Sequence, residues 1–208
     1  MRVYHASAEA IPCPDIRHGR KNADFGQGFY VTRDADFAAR WARGGPDGRA
    51  VLNCYELELE GLDCVSLSRD EAWFDYIFAN RAAKAERYPR ADVIMDPIAN
   101  DTLYETYGII TSGYLSRETA TRLLQIGPEF MQLALKSDRA KAARTFLEAK
   151  PISAQEIRSK AEQVKKEQEA YQAAFARVLE ECLYRRGESV RADPRKTGQI
   201  GPVMECCF

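Results

Sequence analysis

No charge of one sign dominates this chain: 30 lysines and arginines stand against 31 aspartates and glutamates, a formal net charge of -1. Such a balance excludes a protein drawn as a whole to nucleic acid or to an anionic membrane and leaves only local basic patches. Long apolar runs are missing too. The opening Met1-Arg2-Val3-Tyr4-His5 has no signal-peptide core, and no stretch is long enough to span a bilayer. A soluble, cytoplasmic protein without a membrane partner is expected. Cysteine is present but unpaired in pattern, since Cys13, Cys54, Cys64, Cys182, Cys206 and Cys207 form no CxxC and no metal-ligand spacing. No metal is expected, and reduced thiols in a cytosolic protein are preferred over a Cys54–Cys64 bridge. The tail places Glu205 where a prenylation box needs its cysteine, so it reads as a loose end.

What is present is material for a core, with 45% hydrophobic and 10% aromatic residues in 208. That suits one medium domain with an appendage, or two small ones. Up to about residue 150, short strands and short helices alternate. Val3 to Ser7 and Gly28 to Thr32 read as strands, the second rich in aromatic and β-branched residues. Asp34 is placed to cap a helix from Ala35 to Arg43, stopped by Gly44-Gly45-Pro46. Ala50 to Leu59 alternates as a strand with Val51, Asn53, Tyr55, Leu57 and Leu59 on one face. Ser68 with Glu71 forms a capping box opening a helix to about Arg87, with Trp73, Phe74, Ile77 and Phe78 inward. Asp92 to Met95 is a strand breaking at Pro97, and Ser116 starts a helix that ends near Gly127-Pro128. Phe130 to Leu135 is a strand, Ser137 caps a helical turn, and Thr145-Phe146-Leu147 closes the unit. Strands mixed with helices without regular βαβ spacing predict an α+β fold.

Composition changes after Pro151. Ser153 and Glu156 form a second capping box, opening a long helix over about 154–186 that ends at Arg185-Arg186-Gly187. Ile157, Ala161, Val164, Gln168, Tyr171, Phe175, Val178 and Cys182 recur along it at spacings of four and three. This heptad seam reads first as the inner face of an amphipathic helix docked on the preceding unit. A homodimer seam or a partner-binding helix is the alternative. Residues 188–208 form a tail without periodicity.

Chemistry gathers at the N-terminal end. One of only two histidines, His5, stands near the end of the first strand. Two glycines precede the aromatic strand in Asp24-Phe25-Gly26-Gln27-Gly28-Phe29-Tyr30, so a ligand can approach the backbone there. Trp41 follows Tyr30 by eleven residues on the next helix, and two aromatic faces brought together there can sandwich a flat, electron-poor ring. Ordinary core packing of both aromatics is the plain alternative.

These residues carry a resemblance. Phe25 to Val31 resembles the phenylalanine-glycine-lysine-glycine-isoleucine-tyrosine-phenylalanine signature of the ADP-ribosyltransferase branch that holds diphtheria toxin and the poly(ADP-ribose) polymerases. Tyr4-His5-Ala6-Ser7 is similar to that branch's histidine-glycine-serine motif. Over roughly 1–150 the chain more closely resembles a bacterial domain of unknown function, DUF3990, commonly placed in the same superfamily. The matching segments are Tyr4-His5, Pro14-Asp15-Ile16, Gly19-Arg20, Asp24 to Thr32, Asn80-Arg81 and Asp96 to Asp101. The resemblance implies an ADP-ribosyltransferase-like split, mostly antiparallel β-core in 1–150, followed by the helix and tail of 151–208. It implies NAD as substrate and a macromolecular acceptor, protein, RNA or DNA, in the setting of a bacterial toxin delivered into a target cell or of a defence effector.

A histidine, a tyrosine and a third residue, usually glutamate, define that branch, one on each of three strands. By resemblance the histidine that holds a ribose hydroxyl is His5, the tyrosine that stacks on nicotinamide is Tyr30, and Trp41 is a second stacking aromatic. The implied NAD-binding set is His5, Ala6, Ser7, Arg20, Gly28, Phe29, Tyr30 and Trp41, with Arg20 facing the diphosphate or adenine ribose. The third position falls on Gln132, which departs from the family. A glutamine accepts a hydrogen bond from a ribose hydroxyl but brings no charge to the cation that develops on the sugar. Glu129 faces the other way from Gln132 on strand parity, whereas Asp101 and Glu105 could fold back. Arg17, His18 and Lys21 could meet the diphosphate too, but a solvated loop is the preferred reading. Asn80, Arg81, Asn100 and Asp101 match family positions, and a buried Arg81–Asp101 pair and a ligand contact stay open as alternatives. Three functions stay open: transfer, hydrolysis of NAD, and a non-catalytic NAD- or ADP-ribose-binding module whose long helix recruits a partner.

Overall fold

Backbone pairing sorts the strands into two sheets. The computed structural model describes residues 1–42, 48–100 and 115–185. In one sheet β1 (Arg2–Ser7), β3 (Ala50–Leu57) and β7 (Arg144–Ile152) run antiparallel in the order β1-β3-β7. The second holds β2 (Phe29–Val31), β4 (Cys64–Val65), β5 (Val93–Pro97) and β6 (Met131–Leu135), ordered β2-β6-β5-β4. Its pairs are antiparallel except β4 against β5. Tyr4 and Thr32 join the two sheets, exchanging backbone hydrogen bonds of 2.7 and 3.0 Å.

Phe29, Val31, Val93, Leu133 and Leu135 pack towards the first sheet, with Val3, Tyr55 and Leu57. Ile94 and Ala134 point the opposite way, into a cluster with Trp73, Tyr76, Ile77, Leu123, Leu124, Tyr171 and Phe175. Those residues come from α2 (Glu71–Arg81), α3 (Arg117–Leu124) and α5 (Ala154–Arg185). With the short α1 (Ala35–Arg40) and α4 (Asp138–Ala142), this is the α+β organisation the sequence predicts.

Polar caps place the helices. Asp34 accepts from the amides of Asp36 and Phe37, Ser116 from Thr119, Ser137 from Ala140 and Ser153 from Glu156, all as expected. The start of α2 differs, because its cap is Asp70, which accepts from Trp73 N, and not Ser68. Its end differs as well. Ala83 adopts φ 52°, and Lys84 and Ala83 donate to the carbonyls of Ala79 and Asn80, closing the helix at Arg81 well short of Arg87. That closure is a Schellman motif whose left-handed position is filled by alanine, so no glycine marked it. The helix expected to run to Arg43 closes sooner, at Arg40, with Trp41 as its cap. The expected stop at 44–46, Arg186 and the tail lie outside the described residues.

Only Ser153 separates β7 from α5. The long helix docks on its own chain. Tyr171 and Phe175 are 4% and 7% exposed, and Val178 packs against the same cluster. Arg40 of α1 reaches Glu167 at 2.5 Å, and Arg122 of α3 reaches Glu181 at 2.9 Å. Ile157 lies against Ala6, Leu52 and Ile152. Ala161, a member of the seam, is exposed. The seam from Tyr171 to Cys182 is therefore used within the chain. Replacing Phe175 by Ala removes a buried ring from that contact and costs about 3–5 kcal/mol in urea unfolding. A change within about 0.5 kcal/mol would place the helix outside the core.

Candidate functional site

Where β1 crosses β2, the backbone leaves a cavity of about 240 Å³. It is lined by Tyr4, His5, Ala6, Arg20, Ala23, Asp24, Tyr30, Val31, Thr32, Ala38, Trp41, Ile98 and Gln132. His5, Tyr30 and Gln132 come from β1, β2 and β6 and meet here, together with Ala6, Arg20 and Trp41.

His5 is held by its ring. Nδ1 lies 2.8 Å from the Tyr30 carbonyl oxygen. A carbonyl only accepts, so Nδ1 carries the proton and Nε2 is left as an acceptor. Burial pushes the imidazole below its ordinary value of 6.5, against the smaller opposing effect of the Tyr30 hydrogen bond. The ring is neutral at pH 7 and stands 4.7 Å from Phe29.

The Tyr30 ring is fixed at its far end. Its hydroxyl donates to Gly26 O at 2.7 Å and accepts from Phe25 N at 3.0 Å. The Phe25 and Tyr30 rings stack at 5.8 Å with 16° between their planes. Desolvation holds the phenol well above its usual range, so it stays protonated. Residues 24–28 are pinned in turn. Arg81 donates to one Asp24 oxygen through Nε (2.9 Å) and a terminal nitrogen (2.7 Å), and Ala99 N donates to the other at 3.0 Å. The Arg81 and Asp24 side chains are 0% and 9% exposed. Asn80 donates to Asp24 O at 2.9 Å, and Tyr76 and Lys136 donate to Phe25 O. Lys136 also pairs with Glu86.

Three expected site residues stand behind the wall instead of lining it. The Ser7 hydroxyl donates to Glu9 O at 2.6 Å and accepts from the fully buried Asn53 at 2.8 Å. Asn53 also takes the Ile11 amide at 2.8 Å and so folds the 8–11 turn back on β1. Phe29 is core, edge-on to Tyr55 at 5.8 Å. At Gly28 a Cβ would come within 2.9 Å of the Leu135 carbonyl oxygen. The close approach that demands a glycine is made by β6 and not by a ligand.

Trp41 caps α1 edge-on to Phe37, and its indole N–H is buried without a partner among the described residues. Gln132 is half-buried, opposite Asp96 in the β5–β6 register, and its amide makes no hydrogen bond among the described residues. Arg20 is exposed at the edge of the cavity with no ion-pair partner among the described residues. Arg17 pairs with Asp138 at 3.5 Å, and His18 and Lys21 are exposed outside the lining. Glu129 is exposed and takes no part either.

Asp24 is the wall residue that sequence reasoning missed. Its signal was its place at the head of the glycine-bearing segment, but its partner Arg81 lies 57 residues away. Asp101 and Glu105, named as possible carboxylates, lie outside the described residues. No group of three histidine, cysteine, aspartate or glutamate side chains that could hold a metal occurs among the described residues. Cys13, Cys54, Cys64 and Cys182 are free. No described helix is long and apolar enough to cross a membrane.

The fold and its cleft define an α+β protein with a cavity at a two-sheet junction, walled by aromatic rings and edged by one guanidinium. A family model described as "Protein of unknown function (DUF3990)" matches residues 1–146, and the chain belongs to that family. No curated protein and no solved structure matches it.

The buried ion pair makes a sharp expectation. Arg81→Met should cost about 3–5 kcal/mol in chemical denaturation, because it strands the Asp24 carboxylate. Adding Asp24→Asn should recover part of that loss. Equal stability of wild type and Arg81→Met would show that the pair does not hold the 24–28 segment.

Proposed function

We propose that the chain is an NAD⁺-dependent ADP-ribosyltransferase of the diphtheria-toxin and poly(ADP-ribose) polymerase type. One observation carries the reading: His5, Tyr30 and Gln132, from three strands, line one cavity with Trp41 beside them and Arg20 at its mouth. The two-sheet, largely antiparallel core supports it. The cavity has room for a flat ring and a sugar, not for a whole dinucleotide. Nicotinamide and its ribose enter, and the diphosphate passes Arg20, whose guanidinium suits phosphate oxygens.

In this reading Tyr30 and Trp41 offer faces to nicotinamide. The free Nε2 of His5 accepts from a ribose hydroxyl, and the Gln132 carbonyl oxygen accepts from the 2′-hydroxyl. The bond between ribose C1′ and the nicotinamide nitrogen breaks, its electron pair staying on that nitrogen and neutralising the pyridinium. A nucleophilic atom of a protein, RNA or DNA acceptor then bonds to C1′ and releases its proton. Water in place of that acceptor gives hydrolysis.

A second reading has its own support. Gln132 is neutral and Asp24 is engaged on both oxygens, so no free carboxylate lines the cavity among the described residues. A binding module that holds NAD⁺ without cleaving it has such a wall.

NAD⁺ labelled in its adenine, incubated with the full chain and with protein, RNA or DNA, separates these readings. Label on a macromolecule marks transfer, free ADP-ribose marks hydrolysis, and binding without nicotinamide release marks the module. Gln132→Ala should lower turnover on the order of 10²-fold, and Gln132→Glu should keep or raise it, since it restores charge beside the developing cation. Trp41→Ala should weaken NAD⁺ binding by about 1–3 kcal/mol, without disturbing the loop that Tyr30 anchors. Turnover indifferent to Gln132→Ala would remove this residue from the reaction.

A further inference from the structure

We propose that Asp96 is a positioning residue behind Gln132: its carboxylate accepts from the Gln132 side-chain amide N–H and turns a neutral glutamine into an acceptor backed by a negative charge. The inference rests on reading the cavity as an NAD⁺ site.

A buried, unsatisfied acceptor stands opposite a side-chain amide that makes no hydrogen bond among the described residues. Asp96 is 0% exposed. Its Oδ1 accepts from Leu67 N at 2.5 Å, whereas its Oδ2 is buried with no partner among the described residues. Gln132 stands directly opposite on β6, also without a hydrogen bond among the described residues. Directly opposed residues of an antiparallel pair put their side chains on one face, with Cβ atoms about 4.5–5.5 Å apart. Ile94 and Ile98 share that parity with Asp96; Ile94 enters the helix-facing cluster, and Ile98 enters both it and the cavity wall. Rotation of the glutamine side chain brings its N–H to Oδ2 while its carbonyl oxygen turns to the sugar. A buried acceptor left open is costly until a donor reaches it.

The charged and titratable groups that face Asp96 are Asp70, the cap of α2, and Tyr76 within that helix. The segment before α2 also presents the Leu67 amide, and β6 presents Gln132. No cation pairs with it among the described residues. Burial, with a smaller push from Asp70 and against the Leu67 bond, moves the carboxyl up to about 6. It is ionised at pH 7 to 8, where the proposed bond needs it. The folded state then holds this proton more tightly than the unfolded chain, so Asp96 lowers stability as pH rises through about 6. A purely structural role would be served better by asparagine. A charge kept buried next to a cavity residue fits a role at the cavity.

The test follows the Gln132 side-chain amide of the ¹⁵N-glutamine-labelled full chain by NMR, assigned by its loss in Gln132→Ala, from about pH 4 to about pH 9. In wild type this amide and the Asp96 carboxyl carbon should titrate with one shared midpoint near 6. In Asp96→Asn the amide should stop titrating, and that variant should be more stable than wild type at pH 8. Absence of a shared midpoint in wild type overturns the proposal, and that arm needs no variant to fold. The second arm is turnover of NAD⁺. Asp96→Asn should lose at least about tenfold with a flattened acid limb, and Gln132→Glu added to it should restore the rate. If wild type turns over no NAD⁺, the transferase reading fails while the amide titration still decides whether Asp96 and Gln132 are joined. A titrating amide that persists in Asp96→Asn assigns the charge to another group and overturns the proposal.

Discussion

The cavity depends on the ion pair between Asp24 and Arg81. Side chains at 9% and 0% exposure lose nearly all their hydration, and the loss is offset because two Arg81 nitrogens meet one Asp24 oxygen and the Ala99 amide meets the other. That pair does not merely join α2 to a loop. It sets the position of Asp24, and with it the carbonyls of Phe25 and Gly26 and the amide of Phe25. The Tyr30 hydroxyl grips that amide and the Gly26 carbonyl. The Tyr30 carbonyl in turn fixes the His5 ring and its tautomer. A chain of contacts thus runs from a helix behind the site to the acceptor nitrogen inside it.

The wall that results is uncharged where the ring and sugar would sit. His5 is neutral, Tyr30 keeps its proton, Gln132 is an amide, and the one carboxylate in the lining among the described residues is paired with Arg81. The one cationic side chain in the lining among the described residues is Arg20. Such a layout suits a ligand with a flat cationic ring at one end and phosphates further along, which is the shape of NAD⁺. It also explains why the third residue matters most. A low-dielectric wall strengthens any charge placed in it, so the presence or absence of one negative group near the sugar separates a catalyst from a binder. Asp96, buried one strand away, is the group that can supply it.

Much of the wall was legible in sequence because its signals are local. His5, Tyr30 and Trp41 announce themselves by residue type within short strand and helix patterns, and the helix caps at Asp34, Ser116, Ser137 and Ser153 do the same. Residues whose role depends on long-range partners were not legible. Asp24 needs Arg81, Asn53 needs the 7–11 turn, and Asp96 needs the β5–β6 register before any of them has a meaning. Gly28 was misread for a physical reason: a glycine reports that something comes close, not what comes close, and here it is the Leu135 carbonyl. The early end of α2 escaped because the left-handed residue, Ala83, is not the glycine that such a turn favours.

The most direct measurement is the difference electron density of a crystal of the full chain soaked with NAD⁺. The account expects nicotinamide between the Tyr30 and Trp41 rings, a ribose hydroxyl on His5 Nε2, the 2′-hydroxyl at the Gln132 carbonyl oxygen, and phosphate oxygens at Arg20. Density for NAD⁺ elsewhere on the molecule, or an empty cavity at saturating NAD⁺, would contradict it.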